Sequence, residues 1–239
     1  MNTVDCACLI HGNKYQWSYV DTLYNMVSTN VNMNVRFHVF TEASRGVPAP
    51  YIKHELVDWP GISGPRQSWW YKLQLFNPKN FQGQLLYLDL DTVIFGNIDW
   101  IWGVSPDNFW TIKDFKHMWR PWNGINSSIM LWNTEKFSYV WDHFLTQGLS
   151  DLVRKYPGDQ DYLSAVLNTK DIKFFDENLV KSWRWQLLDG GLDFKTRRYR
   201  RPGAGTLLDP NTRIAVFHGN PKPHEVLDPV IQKYWTMHK

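Results

Sequence analysis

The stretch LLYLDLDTVIFGNID, at positions 85–99, constrains the fold of this chain more than any other. It opens with an apolar run, 85–88, that is too short for a helix and is typical of a buried central strand. Two carboxylates, Asp89 and Asp91, follow at the carboxyl end of that strand. Because residues two apart on an extended chain point to the same side, this spacing predicts two carboxylates that face one ligand.

Two neighbouring carboxylates in an apolar setting repel each other and resist the loss of water. A divalent cation is the usual remedy, with a phosphate-bearing ligand completing its coordination shell. The alternative is a strand end with two solvated acids near a turn at Gly96 and Asn97, because Asp-x-Asp is also a common accident. This stretch alone leaves both interpretations open.

The N-terminal part of the chain predicts a doubly wound sheet. Apolar runs at 4–10 and 35–41 indicate strands with a helical pattern between them, and 51–57 indicates a third strand. Ligands of such sheets bind beyond the carboxyl ends of the strands, which places His11 on the same edge as the two aspartates. No phosphate-binding glycine pattern follows the first strand, so neither a dinucleotide site nor a P-loop is supported.

Three later segments carry further polar candidates. A short helix contains Lys72, which is either solvated or placed to reach a diphosphate held by the metal. GINSSIMLWNT predicts a strand with Asn126 at its entry. GDQDYL puts Asp159, Gln160 and Asp161 at the start of a helix, where acids are also favoured as caps by the helix dipole.

The C-terminal part adds a basic loop and a last strand. Five cations lie close together between glycines and a proline, and they indicate either solvated surface or a grip for an anionic acceptor or phosphate. They are Lys195, Arg197, Arg198, Arg200 and Arg201. The run 214–217 predicts a strand that ends at His218, and Lys222 follows in a turn rich in glycine and proline. A lone histidine is more often a satisfied polar residue than a ligand, but this one is followed by a lysine suited to phosphate.

The composition is that of an ordinary globular protein. The 239 residues are 43% hydrophobic and 21% charged, with a net charge of +3, which predicts one domain and favours no polyanionic partner. The 14 tryptophans suit a core or a carbohydrate-binding cleft. Cys6 and Cys8 are too close to pair and too few for a zinc site, so we expect buried thiols in a reducing compartment. Without a signal peptide or an apolar stretch of about 18 residues, we expect a cytoplasmic protein with no membrane span.

Four motifs, YLDLDTVIFGNI, NSSIMLWN, GDQDYL and HGNPKP, occur in this order. Together they resemble the nucleotide-sugar glycosyltransferases of the GT-A fold, in particular glycosyltransferase family 8 and glycogenin-like enzymes, over most of the chain. The resemblance implies an α/β, single-domain, Rossmann-like GT-A fold over 1–239, with a mostly parallel central sheet flanked by helices. It also implies a nucleotide-binding half of about 1–100 and an acceptor-side half of about 101–239.

The resemblance implies roles for particular residues as well. The metal ligands are Asp89, Asp91 and His218, which hold Mn²⁺ or Mg²⁺. The donor-binding residues are His11, Lys72, Asp89, Leu90, Asp91, Asn126, Gly219 and Lys222. The catalytic residues are Asp159, Gln160 and Asp161. Two departures from the family pattern are a shorter turn between His218 and Lys222, and Ser128 where a glycine is typical.

We therefore expect a metal-dependent transferase that moves a hexose from a UDP-sugar to an unknown saccharide or other hydroxyl acceptor. The resemblance implies retention of configuration, although Asp114 or Asp161 is available as the base of an inverting enzyme. One alternative is a nucleotidyltransferase that builds a nucleotide-sugar, which normally shows a glycine-rich basic loop that is absent here. Another is a nucleic-acid-binding module based on the basic loop, but the near-neutral net charge argues against a nucleic-acid partner.

Overall fold

The described strands form three sheets. The structure is a computed structural model that describes residues 2–62, 67–189, 192–193, 198–199 and 205–236, with the backbone only at 192–193 and 198–199. In chain order the strands are β1 (Thr3–Leu9), β2 (Asn34–Glu42), β3 (Ile52–Leu56), β4 (Gln84–Leu88), β5 (Thr92–Ile94), β6 (Phe109–Lys113), β7 (Ile125–Asn133), β8 (Ile172–Phe174), β9 (Val180–Ser182), β10 (Leu192–Asp193), β11 (Arg198–Tyr199) and β12 (Ile214–Val216).

Five α-helices and several tighter turns connect these strands within the described ranges. The α-helices are α1 (Ser18–Thr29), α2 (Tyr139–Gln147), α3 (Leu149–Lys155), α4 (Asp159–Val166) and α5 (Pro229–Tyr234). The 3₁₀ segments are Ser68–Phe76, Asp99–Gly103, Phe115–Met118 and Pro223–Glu225, and Trp183–Leu187 forms a π-helical turn. No helix in this part of the chain is both long and apolar enough to cross a membrane.

The central sheet has seven strands in the order β3-β2-β1-β4-β7-β6-β8. Every neighbouring pair is parallel except that β7 runs antiparallel to both β4 and β6. The predicted α/β class with a mostly parallel central sheet is therefore confirmed. The reversed β7 also matters for function, because its first residues lie at the same edge of the sheet as the last residues of β4.

Both faces of the central sheet are covered, as its apolar strands predict. Alternation along β1 shows this, because Cys6 and Cys8 belong to the core under α1 while Ala7 belongs to the core on the opposite face. That second core is covered by Ser68–Phe76, α2 and α4. The cysteines are free and fully buried, and burial raises the pKa of both thiols, which confirms the expected inert thiols.

The second sheet has three strands in the order β5-β12-β9. The predicted strand at 214–217 lies here as β12, and it is therefore not a strand of the central sheet. β12 pairs antiparallel with β5, and Val216 lies opposite Thr92. Because β5 begins one residue after Asp91, this pairing brings the end of β12 to Asp91, whose carbonyl accepts a hydrogen bond from the Phe217 N–H at 3.3 Å.

Candidate functional site

A cavity of about 720 Å³ lies where the carboxyl ends of β1 and β4 meet the three-stranded sheet. Its volume falls in the range of small-molecule and cofactor sites. All twelve residues that the sequence predicts for the site line this cavity. They are His11, Lys72, Asp89, Leu90, Asp91, Asn126, Asp159, Gln160, Asp161, His218, Gly219 and Lys222. The structure therefore brings them together, while the role of each stays a prediction.

Lys72 is the centre of a buried group that we call the Lys72 cluster, with Asp89, Asp159, Ser127 and Tyr87. The Lys72 Nζ lies 2.8 Å from Asp89 Oδ1 and 3.6 Å from Asp159 Oδ2. The Ser127 hydroxyl donates to Asp159 Oδ2 at 2.6 Å, and the Tyr87 hydroxyl donates to Asp89 Oδ1 at 2.8 Å. Lys72 is thus not a solvated lysine, since two carboxylates and Ser127 surround its ammonium group.

Charge pairing overrides burial within the Lys72 cluster. Burial alone would raise the pKa of Asp89, but the Lys72 charge and hydrogen bonds from Lys72, Tyr87 and Ser128 hold it below its usual range. Burial alone would likewise lower the pKa of Lys72, yet the charges of Asp159 and Asp89 raise it. The cluster therefore keeps the Lys72 ammonium and the Asp89 carboxylate charged beside the cavity at neutral pH.

Asp91 takes different partners on the other side of the cavity. Its Oδ2 accepts a hydrogen bond from the Tyr15 hydroxyl at 2.9 Å and pairs with the Lys222 ammonium. Burial and the charges of Asp91 and Asp89 raise the pKa of Tyr15, so its hydroxyl stays protonated and can donate. Lys14 also lines the cavity, and burial together with the nearby Lys222 charge lowers its pKa.

The chain turns between the two carboxylates. The Thr92 N–H donates to the Asp89 carbonyl at 3.1 Å, so residues 89–92 form a turn directly after β4. The expectation of two carboxylates on one side of an extended strand is therefore wrong in its geometry. Asp89 and Asp91 line the same cavity, but Asp89 pairs with Lys72 and Asp91 pairs with Lys222.

His218 follows β12 and packs between aromatic rings. Its ring centroid lies 5.1 Å from that of Phe115 and 4.6 Å from that of Trp185, and its Nε2 lies 2.7 Å from Ser182 Oγ. Burial and the Arg184 charge lower the pKa of His218 to about 4. The imidazole is therefore neutral at pH 7, which is the form that can bind a metal ion.

The three residues at the start of α4 have different surroundings. Asp159 belongs to the Lys72 cluster, whereas the Gln160 side-chain amide donates to Asp114 Oδ2 at 3.4 Å. Burial raises the pKa of Asp161, and the charges of Asp114 and Asp159 raise it further while Lys116 opposes them. The N-cap of α4 is Gly158, and Asp159 and Asp161 lie in its first turn, where the helix dipole favours acids, so the capping interpretation also fits their positions.

Asn126 and Ser128 lie on β7 at the cavity wall. The Asn126 Oδ1 accepts a hydrogen bond from the Ser128 N–H at 3.0 Å, so this amide is folded back on its own strand. The Ser128 carbonyl accepts from the Asp89 N–H at 2.8 Å, and the Ser128 hydroxyl donates to the Asp89 carboxylate. The serine that departs from the family pattern thus adds a contact to the Lys72 cluster.

Comparison with known proteins gives agreement in structure without agreement in sequence. No family model and no curated protein matches the sequence. Among solved structures, the galactosyltransferase LgtC in complex with donor and acceptor sugar analogues has a TM-score of 0.65 at 15% identity, covering 97% of this chain and 94% of LgtC. The apo-form glycosyltransferase GlyE of Streptococcus pneumoniae TIGR4 has a TM-score of 0.68 at 15% identity, covering 99% of this chain and 61% of GlyE.

Mouse xyloside xylosyltransferase 1 in its apo form is a third such structure, with a TM-score of 0.55 at 14% identity. The match covers 91% of this chain and 98% of the mouse protein. These matches span nearly the whole chain and agree with the fold that the four sequence motifs imply. The chain has a GT-A glycosyltransferase fold.

GT-A enzymes commonly use a divalent metal ion, and this cavity contains three candidate ligands for such an ion. Two carboxylates and a neutral imidazole form a donor set that suits Mn²⁺ or Mg²⁺. Among the residues that the structure describes, however, no group of three or more His, Cys, Asp or Glu side chains is close enough to hold an ion. The donor chemistry of Asp89, Asp91 and His218 fits, while both carboxylates are paired with lysines.

Several polar residues of the cavity are not predicted from the sequence. Lys14 and Tyr15 follow β1 in the polar break HGNKY, which is the signal that could have identified them. Tyr87 looks like a core residue in its strand, and no local pattern marks it, whereas Ser127 lies with Asn126 and Ser128 at the polar entry of its strand but the sequence gives it no role. Of the five loop cations, Lys195, Arg197, Arg200 and Arg201 lie outside the described residues, and Arg198 is described in its backbone alone.

Proposed function

We propose that this chain transfers a hexose from a UDP-sugar to a hydroxyl acceptor with retention of configuration, and that it uses Mn²⁺ or Mg²⁺. The observation that carries the proposal is the meeting of two lysine–carboxylate pairs in one cavity of a GT-A fold. A cavity with carboxylates for a cation and lysines for a diphosphate matches the chemistry of a nucleotide-sugar donor. The galactosyltransferase LgtC and the other matched transferases give the same fold a glycosyl-transfer role.

Asp89, Asp91 and His218 are the residues that would hold the ion. A bound divalent cation would neutralise negative charge on the departing diphosphate. Lys222, which pairs with Asp91, would be free to contact the phosphates if that carboxylate held the ion. Lys14 adds a second positive charge on the same wall of the cavity.

The Lys72 cluster has a positioning role in this mechanism. Lys72 holds Asp89 in its ionised form, so this carboxylate does not need the ligand to become charged, and Lys72 also lies 3.6 Å from Asp159. Asp159 then places negative charge where positive charge develops on the sugar, and Gln160 supplies a neutral amide beside it. As the bond from the sugar carbon to the phosphate oxygen breaks, the acceptor oxygen bonds to that carbon on the same face, and the departing phosphate takes the hydroxyl proton.

Calorimetry of UDP binding, with Mn²⁺, with Mg²⁺ and with neither, tests the donor site. We expect binding that requires the cation, and a loss of about tenfold or more in affinity in Asp91→Asn, because a ligand charge is removed. Asp107→Asn is the matched control, since Asp107 is 81% exposed and lies outside the cavity lining. Equal binding of UDP with and without metal contradicts the metal assignment, and an absence of UDP binding contradicts the donor.

Proton NMR of the first sugar released by donor hydrolysis tests retention with water as the acceptor. The anomeric signal that appears first keeps the configuration of the donor if the mechanism is retaining. An inverted first signal contradicts the proposal and directs attention to Asp114 or Asp161 as the base. The cytoplasmic location and the division into two halves near residue 100 stay predictions.

A further inference from the structure

The segment between β6 and β7 holds an arginine between two tryptophans. The guanidinium carbon of Arg120 lies 4.5 Å from the ring centroid of Trp122 and 5.2 Å from that of Trp119. Arg120 is exposed, and Trp119 exposes 38% of its surface. Aromatic faces attract a guanidinium and limit its motion, so this cation is held in place without being neutralised.

Trp122 is fixed to the wall of the donor cavity. Its indole N–H donates to Asp114 Oδ2 at 3.0 Å, and the same oxygen accepts from the Gln160 amide, which lines the cavity. The ring also lies against the backbone of Gly124, because a Cβ placed there would meet Trp122 Nε1 at 2.6 Å. Glycine at this position is therefore required for the ring to lie where it does.

Trp119 is linked to the cavity on its other side. Its ring centroid lies 6.1 Å from that of Trp185 in an edge-on arrangement, and Trp185 contacts His218, which lines the cavity. Trp119 is thus linked through Trp185 to His218, and Trp122 is linked through Asp114 to Gln160. Both His218 and Gln160 line the cavity.

The charged residues near Arg120 pair with one another, so its guanidinium is available to a ligand. Lys116 lies 4.8 Å from the ring centroid of Trp122, but its ammonium pairs with Asp114 at 3.0 Å. Asp161 is the other acid near that pair, and Glu177 pairs with Lys113 and His117. Arg120 forms no ion pair with any residue that the structure describes. A positive group that is oriented and unneutralised is suited to an anionic ligand.

We propose that Trp119, Arg120 and Trp122 form an acceptor subsite that binds a carboxylate or phosphate group on a saccharide. The guanidinium contacts the anion, and the exposed tryptophan surface contacts the sugar ring, as indoles commonly do with carbohydrate faces. This inference rests on the proposed glycosyl transfer and adds the chemical class of the acceptor. In this proposal the anionic group of the acceptor binds at the β6–β7 segment, and the basic loop near residue 200 is not involved.

Saturation-transfer NMR with three small probes, recorded with UDP and Mn²⁺ filling the donor site, tests the subsite. The probes are methyl β-glucuronide, mannose 6-phosphate and the neutral methyl β-glucoside. We expect the parent to bind at least one anionic probe about tenfold more tightly than the neutral one, and Arg120→Gln to remove that difference. The relative affinities of the glucuronide and the phosphate distinguish a carboxylate acceptor from a phosphorylated one.

Two further variants separate orientation from charge. Gly124→Ala displaces the Trp122 ring without altering any charge, so it should lower the affinity for the anionic probes more than the affinity for the neutral one. Arg154→Gln is the matched control, because Arg154 is 79% exposed on α3, and it should bind all three probes like the parent. Thermal unfolding of each variant verifies that the fold is retained.

Four results overturn the subsite. They are equal binding of anionic and neutral probes by the parent, no binding of either anionic probe, unchanged binding in Arg120→Gln, and salt-sensitive oligonucleotide binding that Arg120→Gln abolishes. UDP affinity, measured on the same samples, reports separately on the donor site. A parent that binds no UDP contradicts the proposed function, whereas normal UDP binding with any of the four results contradicts only the acceptor subsite.

Discussion

The central sheet and the three-stranded sheet each bring one lysine–carboxylate pair to the cavity, and the two pairs differ in how firmly they are held. The side chains of Lys72 and Lys222 expose similar fractions, 9% and 14%. Lys72, however, has two carboxylates and Ser127 around it, on a segment whose neighbouring residues are buried. Lys222 has one carboxylate partner, on a turn that follows the exposed Gly219, where φ is +76°.

This difference separates a prebuilt part of the site from an adjustable part. A lysine on a buried segment with several partners cannot move away without leaving those partners buried and unpaired, which is costly. A charge on an exposed turn, with a single partner, can exchange that partner for a ligand at little cost. We therefore expect the central sheet to hold the site's shape and the three-stranded sheet to respond to the donor.

Replacing Lys72 by methionine should have the largest effect on folding. Asp89 and Asp159 would face each other without a cation, and stranded buried charges typically cost about 3–5 kcal/mol. Urea unfolding followed by circular dichroism measures the loss. Lys136→Met is the matched control, because its ion pair with Asp107 is exposed and should matter by less than about 0.5 kcal/mol.

A rescue experiment assigns that loss to charge. Adding Asp89→Asn and Asp159→Asn to Lys72→Met removes the stranded carboxylates, so much of the lost stability should return. If Lys72→Met is as stable as the parent, the Lys72 cluster does not stabilise the site. The proposed difference between the Lys72 cluster and the Lys222 pair is then wrong.

Acid should weaken the central sheet through His54, which is distant from the cavity on β3. Burial and the His38 charge lower the pKa of His54 to about 4 from the ordinary value of about 6.5. Because the unfolded chain takes up the proton first, stability is lost as the pH falls below about 6.5 and the loss levels off near pH 4. It should reach about 2 kcal/mol between pH 7 and pH 5.

The variant His54→Phe isolates this contribution. It keeps the stacking on Phe40, at 4.5 Å between ring centroids, but has no proton to gain. Its unfolding free energy should therefore depend less on pH than the parent's across this interval, whatever constant cost the lost hydrogen bond to His38 adds. Parallel pH profiles for the two proteins would assign the acid sensitivity to other groups.

Replacing Lys222 by methionine should destabilise the fold less than Lys72→Met does, because it leaves one carboxylate, Asp91, without a cation, and Asp91 keeps its hydrogen bond from Tyr15. The same change should weaken UDP binding about tenfold, since it removes a phosphate contact. Urea unfolding and calorimetry on one preparation give both numbers. A folding loss as large as that of Lys72→Met would show that both sheets are equally rigid.

Local patterns were sufficient to place several residues of the cavity at strand ends and insufficient to predict what those residues touch. Alternation and strand ends located Asp89, Asn126 and His218, because these signals depend on a few neighbouring residues. The turn after β4 was missed, since DLDT carries no glycine or proline to mark it. The pairing of β12 with β5 joins segments far apart in the chain, and no local pattern encodes which of two sheets a short strand enters.

The solvated alternative for Lys72 is wrong for the same reason, while a contact with a diphosphate stays a prediction. The neighbours of Lys72 at 69–76 give an apolar pattern that describes one segment, while its two carboxylate partners come from β4 and α4. The GT-A resemblance supplied the fold because motif order is a property of the whole chain. The charge pairing within the cavity depends on three-dimensional placement, which the order of motifs does not contain.

The antiparallel pairing of β5 with β12 also determines at what stage of protein synthesis and folding the cavity is completed. A chain synthesised from its N-terminus releases β1 to β4 early, and these strands can pair with one another before the rest has emerged. β12, His218 and Lys222 emerge much later, and their contacts with β5 and Asp91 close a long loop, which is a slow kind of contact to form. The cavity is therefore complete only after this pairing has formed, so the proposed nucleotide binding would distinguish molecules that have made it from those in which only the helices and early strands have folded.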